Sequence, residues 1–579
     1  MQSFLPKITL IASLVLLCVP GYGQETPQKL RFNGLGRTTL LNTQIGGELE
    51  ARDTTNGKRI TDGEFLLDLA INATPNEKTE VQTILRLRNE FGGFFGAGMS
   101  VEVRELWARG IIGNAIRYHV GDMDLVQTPY TLFNPDEEGT VHEPEIFKAQ
   151  REIIHYENFY HVGNTRRMQG AKVDFGLDFA RLIDGMEVEA FITRVRGTDF
   201  FTTPNTFVGG GTLNFLDKKY GRIGLHYVNT FDDLSVGAIS TGVQNAVYTL
   251  DGEISLVKKE NWALQVKGET GWSSLRQEKD SVVSLDKDDT FAEIGASLQL
   301  PAQRLRIDLG FRDVGPDFYS VAAQSKRVDF TRDKRYFHRV GNQRGVRMPT
   351  LFDLGRDPQL YTFQLFLDGL AAYDPRMSNT LPYGKATPNR RGFTTTVQYA
   401  DSSQVLDITF DAAFLSEIRG QGTTELKDFR LLRAAADIHL HQLISWKKQW
   451  TFSLGLQAEK TTRGGLPVEQ VDLGSTLLEA GMQAELFDSF DLLLGGKWLR
   501  SEGSDYVPLY EGFNVVLDFP GRYMADDSES LLAGGFRYRF KEGIYLTAQY
   551  QHFAFSRATT SPQNDYSLSQ FFVLYSMNF

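Results

Sequence analysis

The sequence predicts an all-β chain, closed into a transmembrane, antiparallel, up-and-down β-barrel of about 22 strands, within a range of 18 to 24. Three observations predict it. Apolar and polar residues alternate with period two along most of the chain. Short turns alternate with long polar connections. The final stretch places Phe571, Val573, Tyr575, Met577 and Phe579 on one face and ends on that last aromatic.

Composition is compatible with this fold. The 579 residues are 23% charged and their mean hydropathy is −0.28, because alternating strands dilute an apolar signal. Glycine (55) and aromatic residues (12%) are plentiful, as tight turns and interfacial girdles require. The formal net charge of −11 argues against a nucleic-acid partner, which would select a basic excess. The single cysteine, Cys18, lies in the N-terminal segment, so disulfides, thiolate metal sites and cysteine nucleophiles are not expected in the mature chain.

At the N-terminus, Lys7 precedes an apolar stretch at 8–19 that is too short to span a membrane as a helix. Small residues Gly21 and Gly23 stand at −3 and −1 before Gln24. This reads as a signal peptide over 1–23, with a single barrel domain over 24–579. Acylation of Cys18 would need a small residue before it, and Leu17 is not small.

Beyond residue 29 no stretch offers 18 consecutive apolar residues, so no transmembrane helix is expected. In 79–89, Val81, Leu85 and Leu87 share one face, with Glu80, Gln82, Arg86 and Arg88 on the other. In 262–269, Trp262, Leu264 and Val266 oppose Gln265, Lys267 and Glu269. In 304–312, Leu305, Ile307, Leu309 and Phe311 alternate with Arg304, Arg306, Asp308 and Arg312. Lipid outside and water inside explain so uniform a pattern, and the charged members are the candidate lumen lining. No blade-length repeat or linker suggests separate soluble modules.

Short turns are predicted at 75–78, 113–114, 180–185, 216–219, 258–261, 301–303, 401–403, 445–448, 487–489 and 541–543. Long connections are predicted at 48–62, 127–166, 230–243, 273–287, 316–390 and 501–528. Short turns on the periplasmic side and long loops outside give an even strand number with both termini in the periplasm.

The last strand resembles the C-terminal signature of bacterial outer-membrane proteins, in which a terminal aromatic follows alternating apolar residues. The resemblance implies that barrel-assembly machinery reads Tyr575, Met577 and Phe579. Segments 128–139, 143–147 and 381–390 look like segments of large cell-surface barrels of the Bacteroidota. That likeness implies lineage and location more than activity, and no functional residue is carried over on it.

A lumen this wide must be open, filled by its own loops, or occupied by a partner. With the first strand near Leu30, no room is left for an N-terminal plug domain. Loops 127–166 and 316–390 are the candidate gates. The second carries Lys326, Arg327, Arg332, Lys334, Arg335, Arg339, Arg344, Arg347 and Arg356 against Asp329, Asp333 and Asp353. Such a cluster suits an anion-selective constriction or a clamp on lipopolysaccharide phosphates; the plainer reading is a surface loop paired with acidic neighbours. The acidic group Asp136, Glu137, Glu138, Glu143 and Glu145 reads as solvated surface acid rather than a calcium site.

His119, His142, His155, His161, His338, His439, His441 and His552 are scattered, and those in 127–166 read as surface residues. His439 and His441 are expected to share a strand face without a third ligand. No Gly-x-Ser-x-Gly elbow occurs. The expectation is a barrel without enzymatic activity, cofactor or metal, acting as a porin-like channel for polar solutes. A membrane anchor for a secretion, surface-assembly or motility complex is the alternative. Expected partners are outer-membrane lipid and lipopolysaccharide, the assembly machinery and envelope proteins.

Overall fold

The computed structural model describes residues 30–47, 59–91, 99–132, 142–149, 153, 168–179, 183–198, 204–235, 241–279, 282–323, 376, 379–507, 510–511, 514–515, 521–558 and 565–579. The expected signal peptide lies outside them, as do His155, His161, His338 and the basic cluster from Lys326 to Arg356.

One half of the wall comprises β1 (Leu30–Gly47), β2 (Arg59–Asn76), β3 (Thr79–Phe91), β4 (Ser100–Ile112), β5 (Ile116–Met123), β6 (Met168–Asp178), β7 (Gly185–Arg196), β8 (Asn205–Asp217), β9 (Gly221–Asp233), β10 (Thr241–Lys258) and β11 (Ala263–Lys279). β12 (Val282–Leu300), β13 (Leu305–Val314), β14 (Arg390–Ala400), β15 (Leu406–Ser416), β16 (Asp428–His439), β17 (Trp450–Arg463), β18 (Val471–Phe487) and β19 (Phe490–Val507) continue it. A two-stranded ribbon, β20 (Tyr510–Glu511) and β21 (Asn514–Val515), precedes β22 (Gly521–Lys541), β23 (Ile544–Arg557) and β24 (Tyr566–Asn578).

Twenty-two strands form one sheet, each antiparallel to its neighbours, and β1 pairs with β24 from Leu35↔Asn578 to Gly47↔Tyr566. Closure removes the free edges that would otherwise expose unpaired backbone groups. The seam is finished by Phe579, whose backbone exchanges hydrogen bonds with Gly34 at 2.9 and 3.1 Å. A Cβ on Gly34 would meet Asp68 O at 2.2 Å and the Phe579 ring at 2.8 Å, so only glycine admits this approach.

The faces are inverted relative to a water-soluble sheet. Ile294, Leu309 and Phe393 are 59, 57 and 65% exposed on neighbouring strands, while Ser297 and Arg312 on the opposite face are 2 and 3% exposed. An apolar exterior around a polar interior suits a chain surrounded by hydrocarbon. Aromatic pairs gather at the end bearing the short turns: Phe490–Phe536 at 5.4 Å, Tyr538–Phe540 at 4.9 Å and Trp446–Trp450 at 5.1 Å between ring centres. On β24, Phe571, Val573, Tyr575 and Met577 face outward, while Leu568, Phe572 and Leu574 are buried inside.

The predicted turns separate successive strands as expected. The predicted connection at 273–287 does not hold: β11 and β12 run through it, parted only by residues 280–281. Polar and charged residues from Ser273 to Lys287 suggested a loop, but strands that project beyond a membrane need no apolar outer face there. The connections around 92–99, 197–204, 417–427, 464–470 and 558–565 were too short to stand out from composition.

Candidate functional site

The lumen is occupied by the chain's own connecting segments. Past β5, residues 124–132 turn inward. Tyr130 stacks on Phe291 at 3.8 Å, and Phe318 meets the Phe291 ring edge-on at 4.9 Å. Around them Met123, Leu125, Leu132, Val208, Val228, Val247, Leu275, Val314, Tyr319, Val321, Ala322 and Ala323 form a continuous apolar core. Four wall residues in it extend inward-facing registers that are charged nearer the turn end of the same strand: Val247 above Asp251 on β10, Leu275 above Glu269 on β11, Phe291 above Glu293 on β12 and Val314 above Arg312 on β13. On these strands the inner wall therefore has two tiers, an apolar collar towards the long loops and a charged vestibule towards the turns.

The boundary between the tiers is a hydrogen-bonded row. Asp251, Glu269 and Glu293 are direct cross-strand neighbours on β10, β11 and β12. Thr128 donates to Glu269 at 2.5 Å and Tyr130 donates to Glu293. Burial pushes the Tyr130 hydroxyl well above the usual tyrosine range, so it remains a donor. Lys385, from the segment before β14, reaches Glu293 at 2.9 Å, and Arg312 lies 3.9 Å away. Glu293 thus holds two loop segments and the wall together.

A second segment crosses to the opposite wall. The helical turn at 145–149 buries Ile146 and Phe147 against Leu493, Leu531, Phe553, Phe555 and Leu568, and Ala149 against Phe572 and Leu574. Lys497, 3% exposed, sits between Glu143 at 2.8 Å and Glu479 at 3.1 Å, with Phe147 5.0 Å from its ammonium. Arg537 binds Glu145 at 2.6 Å. A third segment, ending at Arg390, is fixed nearer the loop end. Arg376 pairs with Asp527 and with Glu529 at 3.2 Å, and Asn379 donates to Thr461 and Asp505 at 2.7 and 3.0 Å.

Three sequence expectations are corrected here. Glu143 and Glu145 are not solvated surface acids, because each is drawn into the barrel by a wall cation that is remote in sequence; Asp136, Glu137 and Glu138 lie outside the described residues. His142 is not a surface residue either: its Nδ1 donates to Asp437 at 2.9 Å, and its Nε2 is 3.3 Å from Thr409. His439 and His441 do not share a strand face, since β16 ends at His439 and a helical turn at Leu440–Leu443 carries His441. His119 meets Asp122 O at 2.8 Å, and His552 meets Ser569 at 3.0 Å.

Among the residues singled out as lumen lining, Arg86 donates twice to Asp68 at 2.8 Å, where Arg104 also binds. Arg88 lies 3.6 Å from Glu64. Glu80 pairs with Arg109 at 2.7 Å, and Gln82 donates to Glu105 at 3.4 Å. Asp308 receives Arg306 at 2.8 Å, with Lys267 at 3.9 Å. Arg304 is a correction: it occupies the turn before β13 with φ of 47° and donates to Asp401 O at 3.2 Å, so it lines no strand. The candidate gating residues Arg327, Arg332, Lys334, Arg335, Arg339, Arg344 and Arg347 lie outside the described residues.

Below the plug, a hollow of about 310 Å³ opens among β5 to β9. Gln127 forms its roof by donating to Gly211 O at 2.9 Å and Thr212 at 3.1 Å. His226, which the sequence reading did not single out, donates to Asp251 at 2.8 Å and touches Thr212 at 3.1 Å. Its inward register between Arg222 and Val228 was the available signal. A second hollow of about 650 Å³ shares Arg117, Lys172 and Asp174 with the first. Among the described residues, no group of three or more His, Cys, Asp or Glu is placed to hold a metal ion.

No family model and no curated protein matches the chain. Among solved structures, it is similar to a BenF-like porin from Pseudomonas fluorescens (9% identity, 95% of this chain and 99% of that one, TM-score 0.35). It is also similar to OccK2 of Pseudomonas aeruginosa (10%, 96% and 100%, TM-score 0.33). A third is a loop-deletion mutant of OmpT, an outer membrane protein of Vibrio cholerae (8%, 95% and 99%, TM-score 0.26). At these values the likenesses carry no argument about this chain.

Proposed function

We propose that this chain is a non-enzymatic, porin-like channel of a Gram-negative outer membrane, passing polar solutes while its own segments fill much of the lumen. The observation that carries this reading is the closed barrel with an apolar exterior around a charged, hollow vestibule. In this reading the short turns face the periplasm and the exterior belt meets outer-membrane lipid and lipopolysaccharide. Export uses residues 1–23, and the assembly machinery engages the outward face carrying Tyr575, Met577 and Phe579. Rows of paired charge across β5 to β9 suit hydrated solutes, which exchange their water for lumenal hydrogen bonds.

Planar-bilayer recording tests it. Purified, folded barrels are expected to give discrete current steps in KCl. Folded barrels that carry no current, with or without the plug-loosening substitutions below, would overturn the channel; a stoichiometric envelope protein co-purifying with them would then support the anchor.

A further inference from the structure

The hollow beneath Gln127 has a chemistry that points to one class of solute. Its ionic lining is balanced: the cations Arg117, Lys172 and Arg222 stand among the carboxylates Asp174, Glu187 and Glu189. A balanced lining attracts neither anions nor cations as a class. Most of these charges are already matched. Arg117 binds Asp174, and Lys172 binds Glu189 at 2.5 Å. Glu187 differs: it is exposed to the hollow and makes no ion pair among the described residues.

Glu187 belongs to one inward-facing row, Gly176–Glu187–Asn214–Gly224, running across β6 to β9. Directly opposed residues on neighbouring strands have Cβ atoms about 5 Å apart, so Glu187 and Asn214 stand side by side. Arg222 donates to Asn214 at 3.0 Å from the other side, and its remaining surface is 36% exposed. Asp251, itself bound by His226, holds Arg222 from behind. A glycine ends the row on each side, one beside open space and one beside packed polar groups. At Gly176 the nearest atom to a Cβ would be 3.9 Å away, whereas at Gly224 a Cβ would overlap Asp251 Oδ1 at 2.1 Å and crowd Asn214 and His226 at 2.8 Å. Glycine at 224 therefore lets the three polar side chains converge.

We propose that this row is a binding site for zwitterionic solutes, namely amino acids and short peptides. Glu187 receives the ammonium, Arg222 receives the carboxylate, and the Asn214 amide lies between them. An unpaired carboxylate is matched by N–H donors, and a guanidinium by a two-oxygen acceptor. A solute bearing both groups meets the unpaired Glu187 and also reaches the exposed side of Arg222, which Asp251 holds from behind; a simple anion leaves Glu187 unmet, and a simple cation gains nothing from Arg222. This inference rests on the channel reading for its transport role, but the site itself requires only the folded barrel.

Glycylglycine is the probe. Calorimetry on the detergent-solubilised, full barrel is expected to show binding, and acetate, ethylammonium and N-acetylglycinamide are expected to bind at least about tenfold more weakly. Glu187→Gln and Asn214→Ala should each weaken glycylglycine by a similar factor, and glycylglycine should interrupt the KCl current. Equal binding of all four probes, or full binding by Glu187→Gln, overturns the site whether or not the barrel conducts. Discriminating binding without any current would leave the site standing and sink the channel.

Discussion

The two ends of strands β7 to β13 carry different chemistry on their inner face. Towards the loops, Phe191, Val208, Val228, Val247 and Leu275 pack around Tyr130 as a soluble core would. A few residues lower on the same strands, Glu187, Asn214 and Arg222 face a hollow, and Asp251 and Glu269 form part of the hydrogen-bonded row beside it. The contrast shows that the inner surface is not uniformly a water channel. Where a loop segment covers the wall, the side chains are those of a protein interior; where nothing covers it, they stay polar, and most of the charges are paired. β23 and β24 repeat the lesson, with Phe553, Phe572 and Leu574 turned inward because 145–149 lies on them.

The largest break in this contrast is expected at Lys497. Lys497→Met removes the cation lying between two buried carboxylates and should cost roughly 3–5 kcal/mol of anchoring for 142–149. The expected readout is a lower denaturant midpoint together with larger, noisier current; an unchanged midpoint and current would show that this segment is held by other contacts.

A comparable loss of about 3–5 kcal/mol is expected for Tyr130→Ala, which empties the collar's aromatic stack. Tyr130→Phe keeps the stack and loses only the bond to Glu293, about 1–3 kcal/mol. Equal effects of the two variants on unfolding and open-channel current would contradict a packed collar.

The smallest effect belongs to the loop-end latch, where Arg419 holds Asp317 at 2.6 Å. Hydrogen bonding from Arg419 lowers the Asp317 carboxyl below its usual value. A lowered value means the stabilisation is present above the unfolded carboxyl's value of about 4 and fades as pH falls through the lower folded one. Both groups are partly exposed, so less than about 1 kcal/mol is at stake. Asp317→Asn should therefore shift the thermal midpoint slightly at pH 7 and not at pH 2; the opposite order would refute the latch.

Much of the wall was legible in the sequence. The alternation in 304–312, the turns at 113–114 and 541–543, and the outward stripe ending at Phe579 all have one physical cause, a sheet with lipid on one side. The plug was not legible, for identifiable reasons. The turn at 145–149 is too short to display a helical period. Glu143 meets Lys497 across 354 positions, a separation no local pattern encodes. One signal went unread: Gln570-Phe-Phe-Val-Leu-Tyr575 is apolar on both faces over several residues, as a strand covered on both sides must be. The valines on the polar register of β8 to β10 carried the same message.

Thiol accessibility compares the collar with the vestibule directly. In a chain with Cys18→Ser, Glu187→Cys and Val247→Cys place single thiols on the hollow and behind Tyr130. A charged, membrane-impermeant methanethiosulfonate added from the turn side is expected to modify position 187 quickly and step the current down, while leaving position 247 unmodified. Rapid modification at 247, or none at 187, would contradict a sealed collar above an open, charged vestibule.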